Sequence, residues 1–249
     1  MKVSLFVTCL VDQLFPQVGL STARLLRRLG CDVEAPKGQV CCGQPAFNSG
    51  YVPQARDVAR SLVGTFEDAE YVVSPSGSCC GMVRHFYPGL FASEPATLSS
   101  AQRFVGKAFE LSEFIVRVLR VTDVGAVFPH RVTYHPSCHG SRLLGVRDEP
   151  MTLLRAVRGV EFAPLLRAED CCGFGGTFSV KMSETSCAMV DEKVDHVVET
   201  NAQYLVGTDM GCLMNIAGRL QVRGVNVKPI HLAEVLDQGA AAERKEAAG

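Results

Sequence analysis

One cysteine pattern occurs twice along the chain, and this repetition constrains the fold more than any other feature. The order is Cys9, Cys41-Cys42 and Cys79, then Cys138, Cys171-Cys172 and Cys212, so each half reads C…CC…C. The gaps are 31 and 36 residues in the first half and 32 and 39 in the second, and equivalent cysteines are offset by 129, 130 and 133 residues. The flanking segments match too. "VSLFVTC" (3–9) parallels "VTYHPSC" (132–138), "CDVEAP" (31–36) parallels "VEFAPL" (160–165), and "AEYVVSPSGSC" (69–79) parallels "AQYLVGTDMGC" (202–212). Near the ends of the halves, "ELSEFIVRVL" (110–119) parallels "HLAEVLDQG" (231–239). Self-similarity at a fixed long period marks a duplicated supersecondary unit. The expected halves are 1–127 and 128–238, followed by a small polar tail at 239–249, "GAAAERKEAAG", that frays.

Each half alternates short apolar runs with helical patterns, the signature of an α/β fold with parallel sheets covered by helices. In the first half, strands are expected at 3–8, 31–35 and 71–74, with helices at 21–30 and 53–69. The second half repeats the scheme, with a helix at 184–200 and a strand at 203–207. The expected architecture is therefore two pseudo-symmetric Rossmann-like halves. Cys9, Cys79, Cys138 and Cys212 each follow a strand, and the CCG segments precede helices. Loops at the carboxyl ends of parallel strands meet in one crevice, so the four thiols of a half can converge there.

Eleven cysteines in 249 residues is a high count. Adjacent cysteines have Cα atoms about 3.8 Å apart across a trans peptide, whereas an unstrained disulfide prefers roughly 5.5–6 Å. Neither Cys41-Cys42 nor Cys171-Cys172 therefore reads as a disulfide, and metal or redox use is expected. On ligand count, four thiolates suit zinc and an iron–sulfur cluster alike. Neither half has the C-x₂₋₄-C knuckle of structural zinc or the C-x₂-C-x₂-C run of ferredoxins. Gly43 and "GFGG" (173–176) either bring backbone N–H groups close to sulfur or simply make turns. His135 and His139 flank Cys138 and are candidate neighbours of that site. Cys31 and Cys187 read as packing residues, and Cys80 as a passive neighbour of Cys79 or a spare ligand.

Net charge is −1, and Lys and Arg form no cluster. "RLLRR" (24–28) reads as the solvated face of a helix, so nucleic acid is not an expected partner. The N-terminal apolar stretch is broken by Thr8, Asp12 and Gln13 and reads as a first strand rather than a signal peptide. No apolar run reaches the roughly 18 residues of a membrane span. The chain is expected to be soluble and cytoplasmic, with no membrane span.

At these residues the sequence resembles the cysteine-rich CCG-domain family, which includes the cysteine-rich subunit of heterodisulfide reductase and the iron–sulfur subunit of glycolate oxidase. "SPSGSC", "TYHPSCHGSRLLG", "CCGFGGTFSVK", "GCLMNIAGRL" and "HLAEVL" look like signatures of its lactate-utilisation branch, in that branch's order. The resemblance implies noncubane 4Fe–4S clusters, one per half. Cys9, Cys41, Cys42 and Cys79 would hold one, and Cys138, Cys171, Cys172 and Cys212 the other. It further implies electron transfer in the oxidation of L-lactate to pyruvate, as a subunit of an L-lactate dehydrogenase complex with LutB-like and LutC-like partners. In heterodisulfide reductase the third motif ends C-x-x-C; here Met82 and Asn215 stand at that last position. The alternatives are an iron–sulfur thiol/disulfide oxidoreductase of the heterodisulfide reductase type and a structural zinc protein.

Overall fold

The computed structural model describes residues 1–239. The tail expected at 239–249 lies outside the described residues, apart from Gly239. Two four-stranded parallel sheets form the framework. The first contains β1 (Lys2–Leu5), β2 (Asp32–Glu34), β3 (Tyr71–Ser74) and β4 (Ala108–Glu110), in the order β2-β1-β3-β4. The second contains β5 (Arg131–His135), β6 (Glu161–Phe162), β7 (Tyr204–Gly207) and β8 (Lys228–His231), in the order β6-β5-β7-β8. The two orders are the same, so the α/β class and the duplication inferred from the cysteines hold at the level of topology. Within each sheet the connections leave the first strand in one direction and the third in the other. The switch point lies between β1 and β3, and again between β5 and β7, and this is where such sheets gather ligands.

Several elements differ in length from the sequence expectation. The first strand ends at Leu5 rather than 8, because the chain turns at Phe6–Thr8 into a helix that starts at Cys9 itself. The following helix begins at Pro16, where a fixed φ suits the first helical turn, and ends at Arg28. The helix expected at 53–69 runs Val52–Thr65, and that expected at 184–200 runs Ser183–Glu199. The expected strands 31–35 and 203–207 shorten to β2 and β7, while β3 matches its expected bounds.

The two halves share one interior. A single apolar cluster joins Val3, Leu5 and Val73 of the first sheet to Val132, Tyr134 and Val206 of the second. Leu111, Phe114, Leu232 and Val235 belong to it too. These come from the last helical segment of each half, and each segment packs on the other half. Leu232–Asp237 lies on Pro16–Arg28, and Leu111–Glu113 lies on Asp148–Ala156. Ion pairs follow the exchange: Arg24 and Arg28 reach Asp237 at 2.6 and 3.2 Å, and Arg117 reaches Glu149 at 2.5 Å. Partly exposed pairs contribute about 0–1 kcal/mol each, whereas each buried Leu or Val contributes about 1.5–3 kcal/mol. The apolar core thus dominates the attachment of the halves. Two further clusters lie beneath the cysteine loops, one around Phe6, Phe66 and Phe104 and one around Val194, Leu205 and Ile216.

Candidate metal centre

Both halves point the carboxyl ends of their strands at each other, and the eight repeat cysteines line one cavity of about 230 Å³ between them. Cys9 opens the helix Cys9–Leu14 after β1, and Cys79 lies in the helix Gly77–Gly81 after β3. Cys138 precedes a π-helical turn, His139–Leu143, after β5, and Cys212 lies in the first turn of Met210–Val222 after β7. The four single cysteines thus sit at the two switch points. The CCG loops after β2 and β6 bring the pairs in from the side.

Within each half the sulfurs are crowded. Cys9 Sγ and Cys41 Sγ are 3.7 Å apart. Contacts continue from Cys41 to Cys42 to Cys79, and from Cys138 to Cys171 to Cys172 to Cys212. One thiol of each set is held low by its neighbours. Cys42 and Cys9 donate to Cys41, and Cys138 and Cys172 donate to Cys171. The donors are correspondingly pushed up, because giving away their protons would bring thiolates together: Cys9 and Cys42 by Cys41, Cys138 by Cys171, and Cys172 by Cys171 and Cys212. Four thiols this close lose all their protons only when a cationic centre takes their place.

The CCG glycines have a local reason to be glycine. Gly43 and Gly173 adopt left-handed φ of 83° and 80°. A Cβ there would stand 3.2 Å from Ala55 O and 2.7 Å from Ser186 O. The turn and the close approach to the next helix both exclude a side chain. The same geometry aims an N–H at sulfur: Gly173 N donates to Cys171 Sγ at 3.4 Å. Both roles considered for these glycines are therefore present. The carbonyl of each inner cysteine is held as well. Tyr87 Oη donates to Cys42 O at 3.0 Å, and Asn215 Nδ2 donates to Cys172 O at 2.8 Å. Met82, at the other position where the third motif could end in cysteine, is fully buried in the apolar cluster.

The remaining candidates separate clearly. Cys80 is buried against Leu144 and Val146 of the second half, off the cavity wall. Cys31 belongs to the shared core. Cys187, expected to pack, is exposed on its helix. His139 lines the cavity, with Gln44 Nε2 3.0 Å from its Nδ1. His135 lies behind the wall, 1% exposed, with the Ala168 carbonyl beside its ring and no hydrogen bond of full geometry to either nitrogen. Its nearest ring nitrogen and the sulfurs of Cys172 and Cys212 all lie within 4.8 Å of one another. Burial, aided by Lys193, pushes its pKa down to about 4, so the ring is neutral, as a metal ligand must be.

Two polar caps were not foreseen from the sequence. Ser76 and Asp209 begin the equivalent helices Gly77–Gly81 and Met210–Val222, and both accept a backbone N–H as N-caps. They also meet across the halves. Ser76 Oγ donates to Asp209 Oδ2 at 3.1 Å, and Ser78 N donates to the same oxygen at 2.9 Å. The S-x-x-C and D-x-x-C spacings carried an N-cap signal, but no local signal pairs one cap with the other.

A cysteine-rich domain family, CCG, matches residues 3–84 and 132–217. Lactate utilization protein A of Bacillus licheniformis is 58% identical over 95% of this chain and 99% of its own length. The protein of the same name from Bacillus subtilis strain 168 is 56% identical over the same shares. That of Geobacillus thermodenitrificans is 52% identical, again over 95% and 99%. Among solved structures, an aspartate racemase homologue from Pyrococcus horikoshii OT3 aligns over 100% of this chain and 99% of its own, at 10% identity and a TM-score of 0.32.

Proposed function

The chain belongs to the cysteine-rich CCG family, in its lactate utilization protein A branch, and on that premise we propose that it is the iron–sulfur electron-transfer subunit of an L-lactate-oxidising system. The observation that carries the proposal is the facing of two crowded four-thiol sets across one cavity. Cys9, Cys41, Cys42 and Cys79 would hold one 4Fe–4S cluster of the noncubane type, and Cys138, Cys171, Cys172 and Cys212 the other. The donor set fits such a group on three counts. The four thiols of a set are too close to lose all their protons without a cation, a glycine N–H points at sulfur, and a buried neutral imidazole stands beside the second set. A zinc ion held by four thiols fills only the space between its ligands. A cavity of about 230 Å³ bordering both sets favours a larger group over zinc.

Such a cluster supplies single-electron storage at a potential set by ligands, hydrogen bonds and burial. The chain's own residues do the rest. The shared core and the Ser76–Asp209 contact fix the two sets relative to each other, and the covering helices keep Cys42 and Cys172 away from water. Lactate gives up two electrons and two protons on becoming pyruvate. On this reading the chain carries the electrons, and lactate itself is oxidised elsewhere in the complex. LutB-like and LutC-like subunits are the proposed partners, and the complex is cytoplasmic. Among the described residues no helix is long and apolar enough to cross a membrane.

Deleting the gene in its host should abolish growth on L-lactate and leave growth on pyruvate intact, with the wild-type gene in trans restoring the first. Undiminished growth on L-lactate, in a host with no second lactate-oxidising enzyme, would contradict the proposal.

A further inference from the structure

The two thiol sets have different walls. Phe6 and His135 each stand three residues before the first cysteine of their set, so they are equivalent positions of the repeat. The long covering helices can be matched in the same way. Ala55, Ala59 and Leu62 form the buried row of one, and Ser186, Val190 and Lys193 that of the other. The spacing is the same, and the match is fixed by the CCG glycines, which face the carbonyl oxygens of Ala55 and Ser186 respectively. Lys193 therefore stands where the first half has Leu62.

Behind the first set the wall is hydrocarbon. Phe6 and Leu62 are 1% and 0% exposed and belong to the same apolar cluster as Cys42 and Cys79. Behind the second set the wall is also largely apolar, but the two equivalent positions are polar and equally dry. His135 and Lys193 are each 1% exposed. Lys193 Nζ donates to the carbonyls of Arg167 and Ala168 at 2.8 and 3.0 Å, on the segment that leads into Cys171-Cys172. Burial pushes the pKa of Lys193 down, and Asp170, Cys172, Cys138 and Cys171 act in the opposite direction to favour its charge. His135 brings a ring nitrogen within 4.8 Å of the sulfurs of Cys172 and Cys212.

We infer that the two sites are electronically unequal: a cluster held by Cys138, Cys171, Cys172 and Cys212 is reduced at higher potential than one held by Cys9, Cys41, Cys42 and Cys79. The inference rests on the iron–sulfur reading above. Reduction adds one negative charge to a site already crowded with thiolates. A buried ammonium stabilises that charge, and so does a nitrogen ligand or a hydrogen bond to sulfur, and all of these raise cluster potentials. At the same two positions Phe6 and Leu62 offer neither a charge nor a nitrogen, and the buried Tyr87 hydroxyl of the first half is spent on Cys42 O. The duplicated scaffold thus has a direction, with an electron on the chain residing in the second half.

The test is a reductive titration of the full chain, purified without oxygen and followed by low-temperature EPR. The wild type should take up electrons in two separate waves, and the wave at higher potential should be the one absent from Cys171→Ser. Lys193→Met removes the charge and keeps the length, and should move the higher wave down toward the lower one. His135→Phe installs the first-half residue and should act in the same direction; if it does not fold, Lys193→Met carries the test alone. A higher wave that belongs to the first set overturns the inference. So does a higher wave that stays in place in Lys193→Met at full iron content. Loss of the second set's iron in both variants, with the lower wave intact, also overturns it, since the pair would then hold the site rather than set its potential. A wild-type chain that binds no iron and sulfide fails the underlying reading, whereas two clusters with unmoved waves fail this inference alone.

Discussion

Replacing either Cys171 or Cys172 by serine should remove the iron of the second thiol set, about half of the total, and leave the first set's iron and EPR signal in place. The sulfurs of each set contact one another in sequence, 138 to 171 to 172 to 212 and 9 to 41 to 42 to 79. Each adjacent cysteine sits between two other thiols of its own half, so its loss opens the middle of the set. Serine is nearly isosteric, but its hydroxyl is a harder, less acidic donor and a poor substitute for thiolate on iron. Cys41→Ser and Cys42→Ser should give the mirror result. Cys187, exposed on its helix, and Cys80, packed on Leu144 and Val146, should be replaceable by serine and by alanine respectively with all iron retained. If Cys171→Ser keeps full iron and an unchanged spectrum while Cys172→Ser loses its cluster, only one cysteine of the pair is a ligand.

Gly77→Val should do what no single cysteine change does and empty both sets together. Gly77 opens the helix that carries Cys79, and it lies flat against the other half. A Cβ there would be 2.8 Å from Ser137 Oγ and 3.0–3.1 Å from backbone atoms of Gly140. Those neighbours flank Cys138, so the overlap falls between a cysteine of one set and a cysteine of the other. A branched side chain can be accommodated only by moving the helix Gly77–Gly81 away from the turn His139–Leu143. Overpacking of this kind costs about 1–3 kcal/mol, which in a chain of this size lowers Tm by roughly 2–12 °C. The displacement also strains the Ser76–Asp209 and Ser78–Asp209 hydrogen bonds that join the halves. Thermal unfolding and iron content of the anaerobically purified variant check this. Loss of the first set's iron alone, with the second unaffected, would mean that the halves hold their sites independently.

The duplication, the parallel sheets and the convergence of thiols within a half could be read from the chain because each rests on a local or repeated signal. Strand-ending cysteines recur at matched offsets, and short apolar runs alternate with helical patterns. What could not be read is how one half meets the other. Leu232–Asp237 lies on a helix more than 200 residues away in sequence, and nothing in "HLAEVL" indicates which helix it covers. The same holds for the single cavity between the sets, which arises only from the facing of the two sheets. β4 is only three residues long and its equivalent β8 contains a proline, so neither carries a strong strand pattern. Lys193 was hidden for another reason. In "VDEKVDHVVE" it reads as part of a solvated charged face. The structure buries its hydrocarbon stem and carries the amine to two loop carbonyls. His135 could be seen beside Cys138, but its approach to Cys172 and Cys212, far off in sequence, is a property of the fold.

The most direct test is the metal itself. Two sets of four thiols that hold iron and sulfide underlie every role proposed for this chain. The chain should be purified and, where cluster is lost on handling, reconstituted without oxygen, then assayed for iron, acid-labile sulfide and zinc. The expected result is a brown protein with several irons and a matching amount of sulfide per chain, divided between two EPR-distinguishable sites. A colourless protein that carries stoichiometric zinc after anaerobic reconstitution would contradict it.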